Sequence, residues 1–288
     1  MTRLNSGDLR GIPGQLEVYD DALRRMTGTD LAGLACRAYA VDEKRFGEAA
    51  RRTTVGVIPV TWGLGVIEGF SETVARIVAH VGFRAFVTRA SDVAGMCEAA
   101  ERRAQIILLS DDACFAAINQ KAGRTVDNSA ATGRVFATGL DLMAGGIGGK
   151  RVLVIGCGPV GRWAASTLLD LGADLTVVDL DSLKARNFSL EAGRTHRDRI
   201  RVAEDLDAAL YRHDYILDAS PAGGFISEKH VAGGTLIAAP GVPLGLDDGA
   251  LAAAAGRLLH DPLQLGVAAM AVGSAALSYK EGLAGSQD

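Results

Sequence analysis

Three glycines and one acid carry the clearest chemistry in this chain. The run Gly156-Cys157-Gly158-Pro159-Val160-Gly161 has the G-x-G-x-x-G spacing and follows Arg151-Val-Leu-Val-Ile155, an apolar run of strand length. A helical pattern comes next, from Arg162 to Leu171, then a second strand pattern from Leu175 to Val178, with Asp179 at its end. The bare glycine pattern is weak in a chain with 36 glycines, but the complete strand, turn, helix, strand and acid unit is specific. Gly156 permits a tight turn, Gly158 removes the side chain that would keep a pyrophosphate from the backbone, and Gly161 lets the helix pack closely. With Pro159 and Val160 between them, these glycines open a helix whose free N–H groups and positive dipole end suit an anion. Asp179 can accept hydrogen bonds from ribose hydroxyls and would repel a 2′-phosphate. The expected cofactor is therefore NAD rather than NADP.

Two further strand patterns end in short polar or proline turns: Tyr215-Ile-Leu217 before Asp218-Ala-Ser-Pro221, and Thr235-Leu-Ile-Ala-Ala239 before Pro240-Gly-Val-Pro-Leu-Gly245. Ligands of such sheets lie outside the carboxyl ends of the strands, so Ala219, Ser220, Pro221, Pro240 and Gly241 are expected to border the nicotinamide half of the cofactor. His260, in His260-Asp261-Pro262, is a further candidate, and the other four histidines read as helical or surface positions. The N-terminal half offers Ser110-Asp111-Asp112 at a strand end, Asp127-Asn128-Ser129 before a long helix, and Thr61-Trp-Gly-Leu-Gly65 after a strand. Adjacent acids can hold an ammonium group, but Asp111 and Asp112 could equally cap a helix beginning near Ala113, and Asn128 is an ordinary cap type. The Thr61 segment is flexible enough to wrap a ligand. No metal-ligand constellation and no Ser-His-Asp arrangement is present, which hydride transfer tolerates because the cofactor carries the chemistry.

These residues need elements to hold them. Helical patterns are expected over residues 15–26, from Thr29 or Asp30 through Tyr39, and over 71–81, 92–102 and 129–145; strands are expected at 55–60, 85–88 and 105–110. Strands alternating with helices of this length predict a parallel sheet. The fold class is therefore α/β, with an N-terminal α/β lobe carrying a short parallel sheet and a C-terminal Rossmann doubly wound parallel sheet. The glycines at 145–149 suggest the division: residues 1–148 as a helical and α/β substrate-binding lobe, 149–288 as the NAD-binding domain.

Composition excludes several classes. A 48% hydrophobic, 22% charged chain of 288 residues is neither disordered nor fibrous, and a net charge of −4 gives no reason to expect nucleic acid or an anionic membrane as partner. Four well-separated cysteines without a C-x-x-C pair suggest neither zinc nor a disulfide framework. With no apolar leader over the first 20 residues, a cytoplasmic location is expected. Homodimerisation is left open.

Beyond the fingerprint, several blocks resemble the NAD-dependent dehydrogenase family that completes pyrrolysine biosynthesis (PylD). They are Ile58-Pro-Val-Thr61, Gly69-Phe-Ser-Glu-Thr73, Ser110-Asp-Asp112, Val126-Asp-Asn128, Leu142-Met-Ala-Gly-Gly146, Lys150 to Gly161, Ala239-Pro-Gly-Val-Pro-Leu-Gly-Leu246 and His260-Asp-Pro-Leu263, spread over nearly the whole chain. The resemblance implies a small-molecule substrate, the lysine-derived isopeptide L-lysine-Nε-3-methyl-D-ornithine. Its terminal amine would be oxidised to an imine that cyclises with loss of ammonia. It implies Asp111, Asn128 and His260 as catalytic candidates, with Ser110, Asp112, Thr61 and Gln264 as substrate contacts. As a neutral amide, Gln264 would hold a cation less firmly than an acid. The alternatives are another two-lobed amino-acid or shikimate-type dehydrogenase, and a non-catalytic NAD(H)-binding regulator.

Overall fold

In the computed structural model, which describes Leu4 and residues 6–284, the chain opens with helices α1 (Ser6–Leu9), α2 (Ile12–Thr27), α3 (Leu31–Ala38) and α4 (Glu43–Ala50). Short acids start two of them: Asp30 Oδ1 accepts from Gly33 N–H at 2.9 Å and Asp42 Oδ1 from Arg45 N–H at 2.8 Å. Then come β1 (Thr54–Ile58), α5 (Phe70–His80), β2 (Arg84–Val87), α6 (Asp92–Glu101) and β3 (Ile106–Ser110), within two residues of the sequence reading. The next segment differs from expectation. No helix begins near Ala113; β4 (Phe115–Asn119) and β5 (Arg124–Asp127) form a hairpin on β3, and the helix α7 (Asn128–Met143) follows.

The remainder is β6 (Arg151–Ile155), α8 (Pro159–Asp170), β7 (Asp174–Val178), α9 (Ser182–His196), β8 (Ile200–Val202), α10 (Leu206–Leu210), β9 (Tyr215–Asp218), β10 (Leu236–Ala239), α11 (Asp248–Ala253), β11 (Leu258–His260) and α12 (Gln264–Ala284). Two compact units result: unit 1 is Met1–Ala22, Thr29–Ala131 and Leu263–Asp288, and unit 2 is Leu23–Gly28 and Thr132–Pro262.

Unit 1 holds a five-stranded sheet in the order β2-β1-β3-β4-β5. Its first three strands are parallel and its last two antiparallel, so the short parallel sheet expected from sequence is a mixed one. Unit 2 holds six parallel strands in the order β11-β10-β9-β6-β7-β8, the doubly wound arrangement whose switch point falls between β6 and β9.

The expected division at residue 148 is corrected twice. Most of α7 belongs to unit 2, and α12 belongs to unit 1, where it lies against α3, α5 and β4. The reason is burial: Leu265 and every residue from Val267 to Val272 are fully buried, so this helix is apolar on all sides and needs cover all round. At Gly273 a Cβ would run into the ring of Tyr39, so the helix reaches α3 only because that side chain is missing.

Candidate active site

The glycine turn sits between β6 and α8 at the switch point. Gly156 has φ +89°, and a Cβ there would stand 3.0 Å from the Ala219 carbonyl, so both backbone conformation and space demand glycine. Any side chain at Gly161 would run into the Gly156 carbonyl oxygen, whereas Gly158 faces open space and caps α8 with no side-chain hydrogen bond. Pro159 is the first residue of α8 and Val160 the second. The first-turn N–H groups thus face open space beside Gly158, and the donor set fits the pyrophosphate of a dinucleotide.

Asp179 follows β7 beside this turn. Its Oδ2 accepts from Cys157 N–H at 2.6 Å and its Oδ1 from Asp181 N–H at 2.8 Å, which fixes the carboxylate while leaving lone pairs for ribose hydroxyls. Burial, with the nearby Asp179 charge, pushes the Cys157 thiol up to about 11, so it stays protonated at neutral pH.

The carboxyl ends of β9 and β10 bring Ala219, Ser220, Pro221 and Pro240 to the same edge. Ala219 N–H donates to the Ile155 carbonyl at 2.8 Å, and Gly241 N–H donates to the Asp218 carbonyl at 3.1 Å, stitching the strand ends together. His260 ends β11 and is held by its Nδ1, which lies 2.7 Å from the Ala239 carbonyl.

Asp218, the last residue of β9, was passed over in the sequence reading. Its side chain is wholly buried, and its Oδ1 accepts from Ser220 N–H at 3.0 Å and from the Ser220 hydroxyl at 2.7 Å. Its Oδ2 has no well-formed hydrogen bond; the Gly245 backbone beside it favours the charged form only weakly. Burial raises the carboxyl to about 6 against these contacts. An acid closing an apolar strand was the signal available in the sequence.

In unit 1, Thr61, Ser110, Asp111, Asp112 and Asn128 come to one end of the sheet, because β1 and β3 run parallel and β5 returns antiparallel to β4. Their side chains are already employed. Asp111 Oδ1 accepts from Ala113 N–H at 2.8 Å and Cys114 N–H at 2.7 Å, closing the β3–β4 turn rather than capping a helix. Asp112 Oδ2 accepts from Leu64 N–H at 2.6 Å, and Asp92 accepts from both the N–H (2.8 Å) and the hydroxyl (2.5 Å) of Thr61. These bonds hold the Asp92 carboxyl below its ordinary value and pin the 61–65 loop at two points, leaving Trp62 and Leu64 exposed. The cap of α7 is Asp127, whose Oδ1 accepts from Ser129 and Ala130, which leaves Asn128 as the first helical residue and not the cap. Gln264 opens α12, buried, its Oε1 with no hydrogen-bond partner among the described residues.

Two of the remaining histidines are not at the surface as expected. His213 is buried between the Ala209 carbonyl and the Thr176 hydroxyl, and His230 is buried against Asp207 and Ser227. His80 pairs with Asp20 at 2.7 Å. All three are structural.

A doubly wound parallel sheet, a glycine turn opening on its switch point and an acid after the second strand define a dehydrogenase of the Rossmann type. The fold agrees with that of quinate dehydrogenase from Corynebacterium glutamicum in complex with NAD, with a TM-score of 0.54 at 16% identity over 78% of this chain and 93% of that one. Residues 8–126 match the family described as pyrrolysine biosynthesis protein PylD, N-terminal domain, and residues 125–221 match the alanine dehydrogenase/PNT C-terminal domain. The pyrrolysine synthase of Methanosarcina acetivorans is 31% identical over 94% of this chain and 98% of its own length, and that of Methanosarcina barkeri is 30% identical over 94% and 97%. The chain belongs to the pyrrolysine synthase family, and it is an oxidoreductase of pyrrolysine biosynthesis.

Proposed function

We propose that this enzyme uses NAD to oxidise the terminal amine of L-lysine-Nε-3-methyl-D-ornithine, giving an imine that closes to pyrrolysine with loss of ammonia. The observation that carries the reading is the site in unit 2: a cradle open at Gly158, with Asp179 fixed where it would meet the adenosine ribose, in a chain of this family. When bound, the dinucleotide supplies the hydride acceptor.

The chain's own residues bind and orient. The first-turn N–H groups of α8 hold the pyrophosphate, and the Asp179 charge disfavours a 2′-phosphate, so NAD is used in preference to NADP. In unit 1, Asp111 and Asp112 supply negative charge for the ammonium groups of a long zwitterion. Asn128 and Gln264 offer neutral amides, and Ser110 and Thr61 add hydroxyls at the sheet end that carries Asp111.

The test is direct. Purified enzyme given the isopeptide should form NADH and release ammonia, and NAD should support much faster turnover than NADP. No NADH with the isopeptide, or equal use of both dinucleotides, would overturn the corresponding half of the proposal.

A further inference from the structure

Three strand ends of unit 2 place an acid and an imidazole in one row. Ala239 of β10 pairs with His260 of β11, and Ala238 pairs with Leu217, which sets Asp218 level with Ala239 in the next row. Residues level with one another on neighbouring parallel strands project to the same face, and two strand spacings separate the outer pair by roughly 10 Å at Cα. In this row Ala239 stands between Asp218 and His260. The two groups interact: the imidazole favours the charged form of the acid.

The ring has a defined tautomer. A carbonyl only accepts, so the Nδ1 atom that meets the Ala239 oxygen must carry its proton, and the lone pair of the neutral ring lies on Nε2. Nε2 makes no hydrogen bond among the described residues, and the residue is only half-buried. Other groups at this edge are unsuited to take a proton. The Cys157 thiol holds its own up to about 11, and the Ser220 hydroxyl is committed to Asp218. What borders Asp218 besides His260 is uncharged: Ser220, the Gly245 backbone and the Phe225 ring.

Amine oxidation needs such a group. A substrate ammonium, R–CH2–NH3+, has no lone pair to expel hydride, so it must first give one proton to a base. The resulting R–CH2–NH2 then loses hydride from carbon to the nicotinamide dinucleotide as the nitrogen pair forms the C=N bond. The products are R–CH=NH2+, the reduced dinucleotide and one proton. Resting on the amine-oxidation reading above, we propose that His260 Nε2 accepts this proton and that Asp218 is the positioning residue behind it, a buried anion that balances the imidazolium.

Two measurements test this on the full-length enzyme. In nitrogen-15 NMR of the dinucleotide-free protein, His260 should show the Nδ1–H tautomer in mild alkali, and in Asp218→Asn its ring nitrogen resonances should move. In turnover with the isopeptide, His260→Gln keeps a donor for the Ala239 carbonyl but lacks a base, and should lower kcat/KM by about 10²- to 10⁴-fold. Asp218→Asn should change the acid limb of the kcat/KM profile from two coupled protonations to one, with no loss of Tm at neutral pH. A His260→Gln enzyme within about threefold of the wild type overturns the proton-acceptor role. An Nε2–H tautomer, or His260 ring nitrogen resonances unmoved in Asp218→Asn, overturns the positioning role. A wild-type enzyme that forms no NADH from the isopeptide overturns the amine reading itself, and the tautomer result then stands apart from it.

Discussion

Asp218 is held in a place that works against folding. Its carboxyl sits at about 6 in the folded protein against 3.8 in the open chain, so between those values the folded form binds more protons than the unfolded one. Stability from this group is therefore present below about pH 4 and is lost as pH rises through about 6, a loss on the order of 3 kcal/mol. Thermal melts should show Asp218→Asn losing this slope and melting no lower than the wild type at neutral pH. Asp111 poses the opposite problem, because one oxygen serves two backbone N–H groups. Asp111→Ala should lower Tm by releasing the turn. Asp111→Asn keeps an acceptor for both N–H groups and should hold Tm while losing kcat/KM by about ten- to a hundredfold, the worth of a charge-assisted bond to an ammonium. If Asp111→Asn kept both, the ammonium anchor would have to be Asp112. At Gly158, where the space is open, Gly158→Val should leave the melt unchanged and abolish dinucleotide binding by calorimetry.

At the scale of elements, what the sequence reveals depends on how local the cause is. The glycine turn and the run from β1 to β3 were legible, because each follows from neighbouring residues: glycines that need their φ, apolar runs, capping acids; α8 begins at Pro159, three residues before the expected Arg162. The β4–β5 hairpin was not. Phe115-Ala-Ala-Ile-Asn119 does alternate in burial, but alanine fits either face, and the buried polar Asn119 spoils the pattern. Asn119 is tolerable inside because its amide donates to the Ser274 carbonyl at 2.7 Å and the Ser278 hydroxyl at 2.8 Å, both on α12 and more than 150 residues away. No local reading finds such partners. Asp218 is similar: an acid closing an apolar strand marks the position, but its inward turn depends on Ser220, Phe225 and Gly245 further along the chain. The same long-range dependence makes α12 sensitive at its close approach. Gly273→Ala should lower Tm, by about 1–3 kcal/mol of stability, since the Tyr39 ring must move to admit the methyl.

On the whole-molecule scale, the units differ in how their chain is drawn. Unit 2 is nearly continuous, while unit 1 is assembled from three separated stretches, the last being the C-terminal helix. The two should therefore respond differently to loss of the C-terminus. Ending the chain after Pro262 removes the cover from α3, α5 and β4 and should melt unit 1. Unit 2 keeps all six strands, so calorimetry should still detect dinucleotide binding by the truncated protein. Loss of both together would mean that the six-stranded sheet depends on α12.

That discontinuity also sets a timetable at the ribosome. Synthesis runs from the N-terminus, yet the first unit to begin emerging is the second able to finish, since its closing helix is translated after the whole of unit 2. The six-stranded sheet is complete in sequence at His260, before α12 has left the exit tunnel. Until α12 emerges, the apolar face awaiting that helix is exposed on a nascent chain whose nucleotide half is already whole. Slow decoding of the α12 codons would lengthen that exposure. It is there, and not at the cofactor fold, that this protein should most need a chaperone.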